Sequence, residues 1–378
     1  MRVVQVNYAY DPRLQSAAAL LERYPTLTGW SEALAGAGAE VLTVQQFHRS
    51  ATVTRHGLRY VFGTLGEIGR AAAAFEPDVA HVNGLMFFAR TWWLRRLLPQ
   101  ATAVGVQDHA GGAPRDRGPA VNAIRRWLMR AADGFLFSAI EQADPWRAHQ
   151  LITRDQIVSG VMEASTGVRP MPQDAARAAS GMTGAPSVLW VGRLNPNKDP
   201  LTVVTAFEQF ARWAPGATLT MVYQEPELLD AVRARVMASP ALADRVYMVG
   251  EVARERMAAF YSAADVFVIG SHHEGSGYAA IEAIACGAIP VVTAIPAFRA
   301  LTRRGSIGAL WPAGNADACA RALIETCRRD PASERQRVID HFQRELTWQA
   351  VGARAMAIYR EISDRRARLM PITERARP

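Results

Sequence analysis

Short apolar or β-branched runs recur along the chain, and between them lie longer stretches whose apolar positions follow helical spacing. In the first half the runs lie at Val3–Val6, Val41–Val44, Val79–Val82, Ala103–Val106 and Phe135–Phe137. In the second half they lie at Val188–Val191, Leu219–Val222, Val246–Val249, Val266–Ile269 and Pro290–Thr293. Most are apolar at successive positions, so both faces of each strand need cover. Helices packed on each side of a parallel sheet supply that cover, and the alternation of strand and helix runs through the chain twice. The pattern predicts an α/β protein built from two Rossmann-like, doubly wound domains.

A stretch rich in Pro, Ala and Gly, RPMPQDAARAASGMTGAP at Arg169–Pro186, interrupts the pattern. It places an N-terminal domain over 1–170, a linker over 171–186 and a second domain over 187–346. Apolar residues at Trp348, Val351, Ala355, Ile358 and Ile362 then follow helical spacing. The Arg-rich, Pro-ended Ser363–Pro378 reads as a frayed tail. The two halves share a pattern without sharing residues.

Composition narrows the function. The 378 residues exceed what one compact core organises, and 49% hydrophobic with 21% charged residues is globular composition rather than disorder. No apolar run reaches the length of a spanning helix, and the chain enters its first strand without a secretory segment, so a cytoplasmic location is expected. Three cysteines, Cys286, Cys319 and Cys327, form neither a disulfide framework nor a zinc spacing. The net charge of +8 is spread evenly over both halves, whereas nucleic acid calls for a concentrated basic stripe, so no nucleic-acid partner is expected. The chain has a single lysine, Lys198, and Asp199 rather than Ser or Thr follows it, which excludes a phosphate-binding Walker loop. The first βα turn has no Gly-x-Gly-x-x-Gly, which argues against a dehydrogenase. There is no Asp-x-Asp or HExxH pattern, and the adjacent His272 and His273 are poorly spaced to share an ion, so no metal is expected.

In open α/β sheets ligands bind beyond the carboxyl ends of the strands. Two such places carry chemistry. In VGRLNPNKD, Val191–Asp199, the guanidinium of Arg193 and the ammonium of Lys198 can converge on one anion such as a diphosphate, although two charges on a solvated loop are the plainer reading. In GSHHEGSGYAAIEAIACGAIPVV, Gly270–Val292, a strand and a Gly-containing turn lead to a helix starting near Gly277. The amides of Gly277, Tyr278 and Ala279 would be unpaired there and favour an anion. Glu274 lies just before that helix and Glu282 about one turn inside it, and both can accept hydrogen bonds from hydroxyls. A carboxylate at this position also simply satisfies the helix dipole. Cys286 and the alanines around it read as helix–sheet packing.

Together these residues resemble the donor half of the family-4 retaining glycosyltransferases, which have the GT-B fold of two domains facing across a cleft. The family pairs a G-R-L-x-x-x-K loop with two glutamates that have seven residues between them, ending in E-A-x-A-x-G. Here these stand as Gly192, Arg193, Leu194 and Lys198, and as Glu274, Glu282, Ala283, Ala285 and Gly287. The resemblance is strongest over 187–312. It implies that Arg193 and Lys198 bind the diphosphate of a nucleotide-sugar donor, Glu282 the ribose and Glu274 the transferred sugar. The backbone at Gly250, Glu251 and Val252 would meet the base, and Gly277, Tyr278 and Ala279 the β-phosphate. In VGVQDHAGG, Val104–Gly112, His109 resembles the family's cleft-facing histidine near the reacting sugar, with Asp108 able to orient the ring; a lone histidine at a strand end is otherwise a structural or solvated residue.

The resemblance implies glycosyl transfer to an acceptor hydroxyl with retention, without a metal or other cofactor, in polysaccharide, glycolipid or glycoconjugate biosynthesis. The acceptor would be a carbohydrate, a lipid-linked sugar or a small molecule. Rival readings are a sugar-nucleotide epimerase on the same fold and a non-catalytic sugar-nucleotide-binding protein or partner subunit. The chain departs from the family at Tyr8–Trp30, which lacks the usual Gly-Gly pair and so points to a particular acceptor pocket. It also departs at Tyr223–Pro226, at Ser276 and at Pro296–Phe298, where a Gly-rich turn is common. The aromatic–basic stretches Arg90–Leu98 and Asn122–Arg130 leave open a peripheral membrane contact, against the alternative of tryptophans packed in the interior.

Overall fold

The structure is a computed structural model that describes residues 1–109 and 112–370. The chain divides into two compact units, Met1–Ala164 joined by the C-terminal segment from Trp348, and Ser165–Thr347.

The first unit is built on eight strands: β1 (Arg2–Asn7), β2 (Glu40–Gln46), β3 (Ala51–Arg55), β4 (Leu58–Gly63), β5 (Val79–Asn83), β6 (Ala103–Gln107), β7 (Gly134–Phe137) and β8 (Ile157–Gly160). They form one sheet in the order β3-β4-β2-β1-β5-β6-β7-β8, parallel except for the β3–β4 hairpin at one edge. The order reverses about β1, whose neighbours are β2 and β5. Alternate residues of the central strands feed two cores. Val4, Val6, Val82, Val104 and Phe135 join one apolar cluster, and Val3, Val79, Ala103 and Leu136 join another. Each such side chain contributes roughly 1.5–3 kcal/mol by leaving water, which is why these strands are apolar on both faces.

The helix Trp348–Leu369 completes the second of these clusters with Val351, Ala355, Ile358, Tyr359 and Ile362. Trp30 Nε1 donates to Tyr359 Oη at 3.2 Å inside it. Residues 363–369, read from sequence as the start of a frayed tail, continue this helix. The remainder of that segment, 371–378, lies outside the described residues.

The second unit carries β9 (Ser187–Arg193), β10 (Thr218–Gln224), β11 (Val246–Gly250), β12 (Val266–Ile269), β13 (Ile289–Thr293) and β14 (Ala309–Trp311). These six strands are all parallel, in the order β11-β10-β9-β12-β13-β14, so the winding reverses between β9 and β12. The fold class is therefore as expected: two parallel-sheet, doubly wound units.

Two sequence readings need correction. The second unit begins at Ser165, and the segment 171–186 is not a free linker. It contains the helix Gln173–Ser180, tied to the unit by Gln173 Nε2 and Arg177 Nη2, which donate to the Asp265 carboxylate at 2.8 and 3.0 Å. Pro296–Phe298, which departs from the family's Gly-rich turn, forms the first residues of the helix Pro296–Leu301.

Candidate functional site

In the second unit, β9 ends at Arg193 and the chain turns through a short helical stretch, Pro196–Lys198. The Asn195 side chain caps it by accepting from Lys198 N at 3.1 Å. Asp199 then caps the helix Pro200–Trp213 through Thr202 N at 3.3 Å. This turn packs against the exit of β12. A Cβ on Gly270 would stand 2.9 Å from Asp199 O, so only glycine permits the approach. The two segments are also stitched by backbone and amide bonds: His272 N donates to Asn197 O at 2.8 Å, and Asn197 Nδ2 donates to His273 O at 3.0 Å.

The result is an ion pair between Lys198 Nζ and Glu274 Oε1, with side chains only 19% and 12% exposed. Ser271 Oγ donates to the same carboxylate oxygen at 2.7 Å. His272 Nε2 lies 3.2 Å from Asp199 Oδ2 beside it. Little water reaches the pair, so the ammonium keeps more of its field than a surface lysine would. Arg193 behaves differently. It is exposed, and its Nε faces Glu225 Oε1 at 3.4 Å. Each cation thus has its own carboxylate partner, rather than both sharing one.

Gly277 begins the helix Tyr278–Ala285 in the left-handed region, at φ 78. A Cβ there would meet the Phe298 ring at 2.4 Å, so both the conformation and the space demand glycine. Gly277 O accepts from Ala280 N and Ile281 N. The amides of Gly277, Tyr278 and Ala279 precede these and have no intrahelical acceptor. Glu282, inside the helix, is buried. Burial pushes its carboxyl above the usual range, opposed by hydrogen bonds from Tyr261, Tyr278 and Thr166 and by the charge of Arg254. Arg254 Nη2 donates to Tyr278 Oη at 2.9 Å and so holds that ring. Gly250 closes β11; Glu251 follows it and accepts from Gln224 Nε2 at 2.7 Å, and Val252 is half-buried.

In the first unit, polar side chains gather at the carboxyl ends of β1, β2, β5 and β6: Gln5, Asn7, Gln45, Asn83 and Gln107. Asn83 Nδ2 donates to Asn7 Oδ1 at 2.5 Å, which turns Asn83 Oδ1 toward two histidines. It accepts from His81 Nε2 at 2.9 Å and from His109 Nε2 at 2.7 Å. His109 Nδ1 lies 3.1 Å from Glu163 Oε2. Both ring nitrogens of His109 therefore face acceptors, the arrangement of an imidazolium. Desolvation opposes that charge, but the bond to Glu163 and the charges of Glu163 and Asp108 outweigh it and raise the His109 pKa. His81, fully buried, goes the other way: burial pulls it down to about 3. Glu163, a residue sequence reading passed over, thus faces the ring, and Asp108 adds its charge. Of the segment Val104–Gly112, residues 110 and 111 lie outside the described residues.

These groups line a cavity of about 940 Å³ lying wholly within the first unit. Tyr8, Ala9, Tyr24, Leu27 and Trp30 form part of its wall, so the connection that lacks a Gly-Gly pair does border a pocket. Of the aromatic–basic stretches, the helix Phe88–Leu97 buries Thr91 and Leu94, while the helix Pro119–Met129 leaves Val121, Ile124 and Trp127 exposed. Trp92 and Trp127 pack together with ring centroids 4.8 Å apart, and Arg96 lies over Trp92. Among the described residues no helix is long and apolar enough to cross a membrane.

Sequence reading thus named Lys198, Glu274, Glu282, Gly277 and His109. It missed Ser271, Tyr261, Thr166, Arg254, Glu225 and Glu163, which orient or pair with them. Of these Ser271 and Glu225, polar and within two residues of the end of an apolar strand, carried a local signal.

Two doubly wound units in one chain are a GT-B-like fold. The sucrose-phosphate synthase of Thermosynechococcus elongatus matches it with a TM-score of 0.71 at 21% identity, over 96% of this chain and 98% of that one. A trehalose-6-phosphate protein from E. coli, solved bound with UDP-2-fluoro glucose, matches with a TM-score of 0.68 at 12% identity, over 96% of this chain and 99% of that one. Residues 173–341, most of the second unit, match the family model described as Glycosyl transferases group 1. By sequence the chain is similar to the D-inositol 3-phosphate glycosyltransferase of Mycolicibacterium gilvum, 29% identical over 325 residues, which is 79% of this chain and 70% of that one.

Proposed function

We propose that the protein is a glycosyltransferase that moves a sugar from a nucleotide-diphosphate sugar to an acceptor hydroxyl, with retention of anomeric configuration and without a metal. The observation that carries this reading is the Lys198–Glu274 pair, held at the strand ends beside the unpaired amides of Gly277–Ala279. The barrier lies in separating the anomeric carbon from the diphosphate, so negative charge grows on the leaving oxygen. Lys198, Arg193 and the helix amides stabilise that charge more in the transition state than in the bound donor. Glu274, already fixed by Ser271, exchanges its bond to Lys198 for a sugar hydroxyl when the diphosphate arrives. Glu282 accepts from the ribose, and the backbone at Gly250–Val252 meets the base.

Retention follows from attack on the face that the diphosphate leaves, with the leaving phosphate taking the acceptor proton. No side chain serves as a covalent nucleophile in this scheme. His109, whose ring nitrogens face Asn83 and Glu163, contacts the transferred sugar as a hydrogen-bond donor rather than a base, one of those contacts giving way to a sugar hydroxyl. The match to group 1 glycosyl transferases and the similarity to the inositol 3-phosphate glycosyltransferase support glycosyl transfer, and the UDP-2-fluoro glucose bound by the E. coli protein supports a nucleotide-sugar donor.

The test is a thermal-shift panel of UDP-, GDP-, ADP-, TDP- and CMP-sugars in EDTA, followed by transfer from the stabilising donor. One base is expected to raise the midpoint through binding linkage. The product, read by NMR, should keep the donor's anomeric configuration, and EDTA should not slow its formation. A flat panel, an inverted product or turnover abolished by EDTA would overturn the corresponding part of the proposal.

A further inference from the structure

Gln107 ends β6 with its side chain fully buried, yet among the described residues neither amide atom reaches a partner with hydrogen-bond geometry. Trp146 is also buried, and its indole Nε1 likewise has none. Buried polar groups left unpaired are uncommon and costly, and each calls for an explanation. Both residues line the first unit's cavity of about 940 Å³. That volume sits near the upper end of pockets that take drug-sized ligands, about 300–1,000 Å³, so one hexose would leave most of it empty.

The rest of the lining has two further characters. Met86, Val121 and Ile124 are large apolar side chains left exposed by the fold, and all three border this one cavity, continuous with Leu85, Phe87 and Phe88. Exposed apolar residues gathered at one opening mark a binding surface more than a monomer's ordinary scatter. Arg115, Arg117 and Arg125 border it too. Arg125 is only 9% exposed and donates to Arg115 O at 2.8 Å, and among the described residues no carboxylate forms an ion pair with it. Burial and the nearby Arg117 disfavour its positive charge more than the charge of Asp116 supports it, a balance that a bound anion would relieve.

We propose that this cavity holds the acceptor, and that the acceptor is an anionic amphiphile. Its hydroxyl-bearing ring bonds to Gln107 and the neighbouring amides, its apolar body lies along Phe87, Phe88 and Ile124, and its phosphate-like group meets Arg115, Arg117 and Arg125. Primary amides suit the first role because each offers a donor and an acceptor to a hydroxyl. The inference rests on the transferase reading for the word acceptor, but the binding it describes can be measured without any turnover. Two sources share this chemistry, a soluble aromatic glycoside phosphate and a lipid-linked sugar phosphate.

Calorimetric titration of the full chain separates them. The probes are p-nitrophenyl glucoside 6-phosphate, farnesyl-diphosphate-linked glucose, and glucose 6-phosphate as the control without an apolar body. At least one amphiphile is expected to bind about tenfold more tightly than the control, the effect of burying one apolar group. Ile124→Ser, at an exposed position that the fold does not need, should erase that advantage and leave glucose 6-phosphate unchanged. The double variant Arg115→Gln, Arg117→Gln should weaken all three. Equal or tighter binding of glucose 6-phosphate, no binding of any probe, or an Ile124→Ser protein that keeps the advantage would overturn the proposal. The donor panel in the same protein reports separately: its failure with these titrations intact would remove the transferase reading and leave the pocket.

Discussion

The two sheets of this protein follow one plan and present different chemistry at their carboxyl ends. In the second unit the end groups are ionic: Lys198 against Glu274, with Glu282 buried a helical turn beyond Tyr278. In the first unit they are mainly neutral amides, Gln5, Asn7, Gln45, Asn83 and Gln107, with His109–Glu163 at their margin. The fold alone does not assign either task. A site that must meet growing charge uses fixed charges, whereas a site that must recognise hydroxyls needs groups that both donate and accept. On the proposed function, the contrast between the halves is a division of labour written in side chains on a shared scaffold.

The largest effect should come from the ionic side. Lys198→Ala is expected to lower turnover by about 10²–10³, the range for removing one donor to a developing oxyanion. The same change leaves Glu274 without its counter-charge and lowers the unfolding midpoint. Adding Glu274→Gln should restore the midpoint without restoring turnover; a double variant that recovers both would assign the lysine a purely structural part. Next, Glu282→Gln should raise the donor KM about tenfold while leaving the acceptor KM alone, since it removes one bond to a charged acceptor. A rise in the acceptor KM instead would erase the proposed division.

On the neutral side smaller changes are expected. Gln107→Leu removes an amide that has no hydrogen-bond partner among the described residues, so urea unfolding should show stability unchanged or raised by about 1 kcal/mol. Marked destabilisation would mean that the amide is structurally engaged. The smallest effect concerns His109, whose folded pKa is raised above the ordinary value near 6.5. Such a group adds stability that is fully present below the unfolded pKa and is lost as pH rises through the folded one. The midpoint advantage of the natural protein over His109→Gln should therefore shrink as pH climbs from 6 through 9. A difference that stays constant with pH would count against the His109–Glu163 pair.

Central strands were legible in the sequence because burial on both faces leaves an unbroken apolar run, as in Val79–Val82 and Val266–Ile269. The edges were not. In β3 exposure alternates along ATVTR, and β8 and β14 are short strands at the sheet margins, so none of them shows a two-faced apolar signal. The helix Gln173–Ser180 was hidden by reading its alanines together with nearby Pro and Gly as loop composition, although alanine is the strongest helix former. At the site, Lys198 and Glu274 stood out by type and spacing. Their supports did not, because Glu163, Tyr261 and Thr166 arrive from elements far away in sequence, and a one-dimensional pattern does not register which distant side chain completes a hydrogen bond.

The excursion of the chain from the first unit at Ser165 and its return at Trp348 has a practical corollary. Residues 165–347 are one uninterrupted stretch and are suited to being produced as a separate fragment. The other unit is discontinuous: a product stopping at Ala164 would leave Val3, Val79 and Leu136 without Ile358 and Ile362 and expose an oily sheet face to solvent. Such a product should aggregate, and co-expressing the terminal helix as a detached peptide should rescue it by complementation.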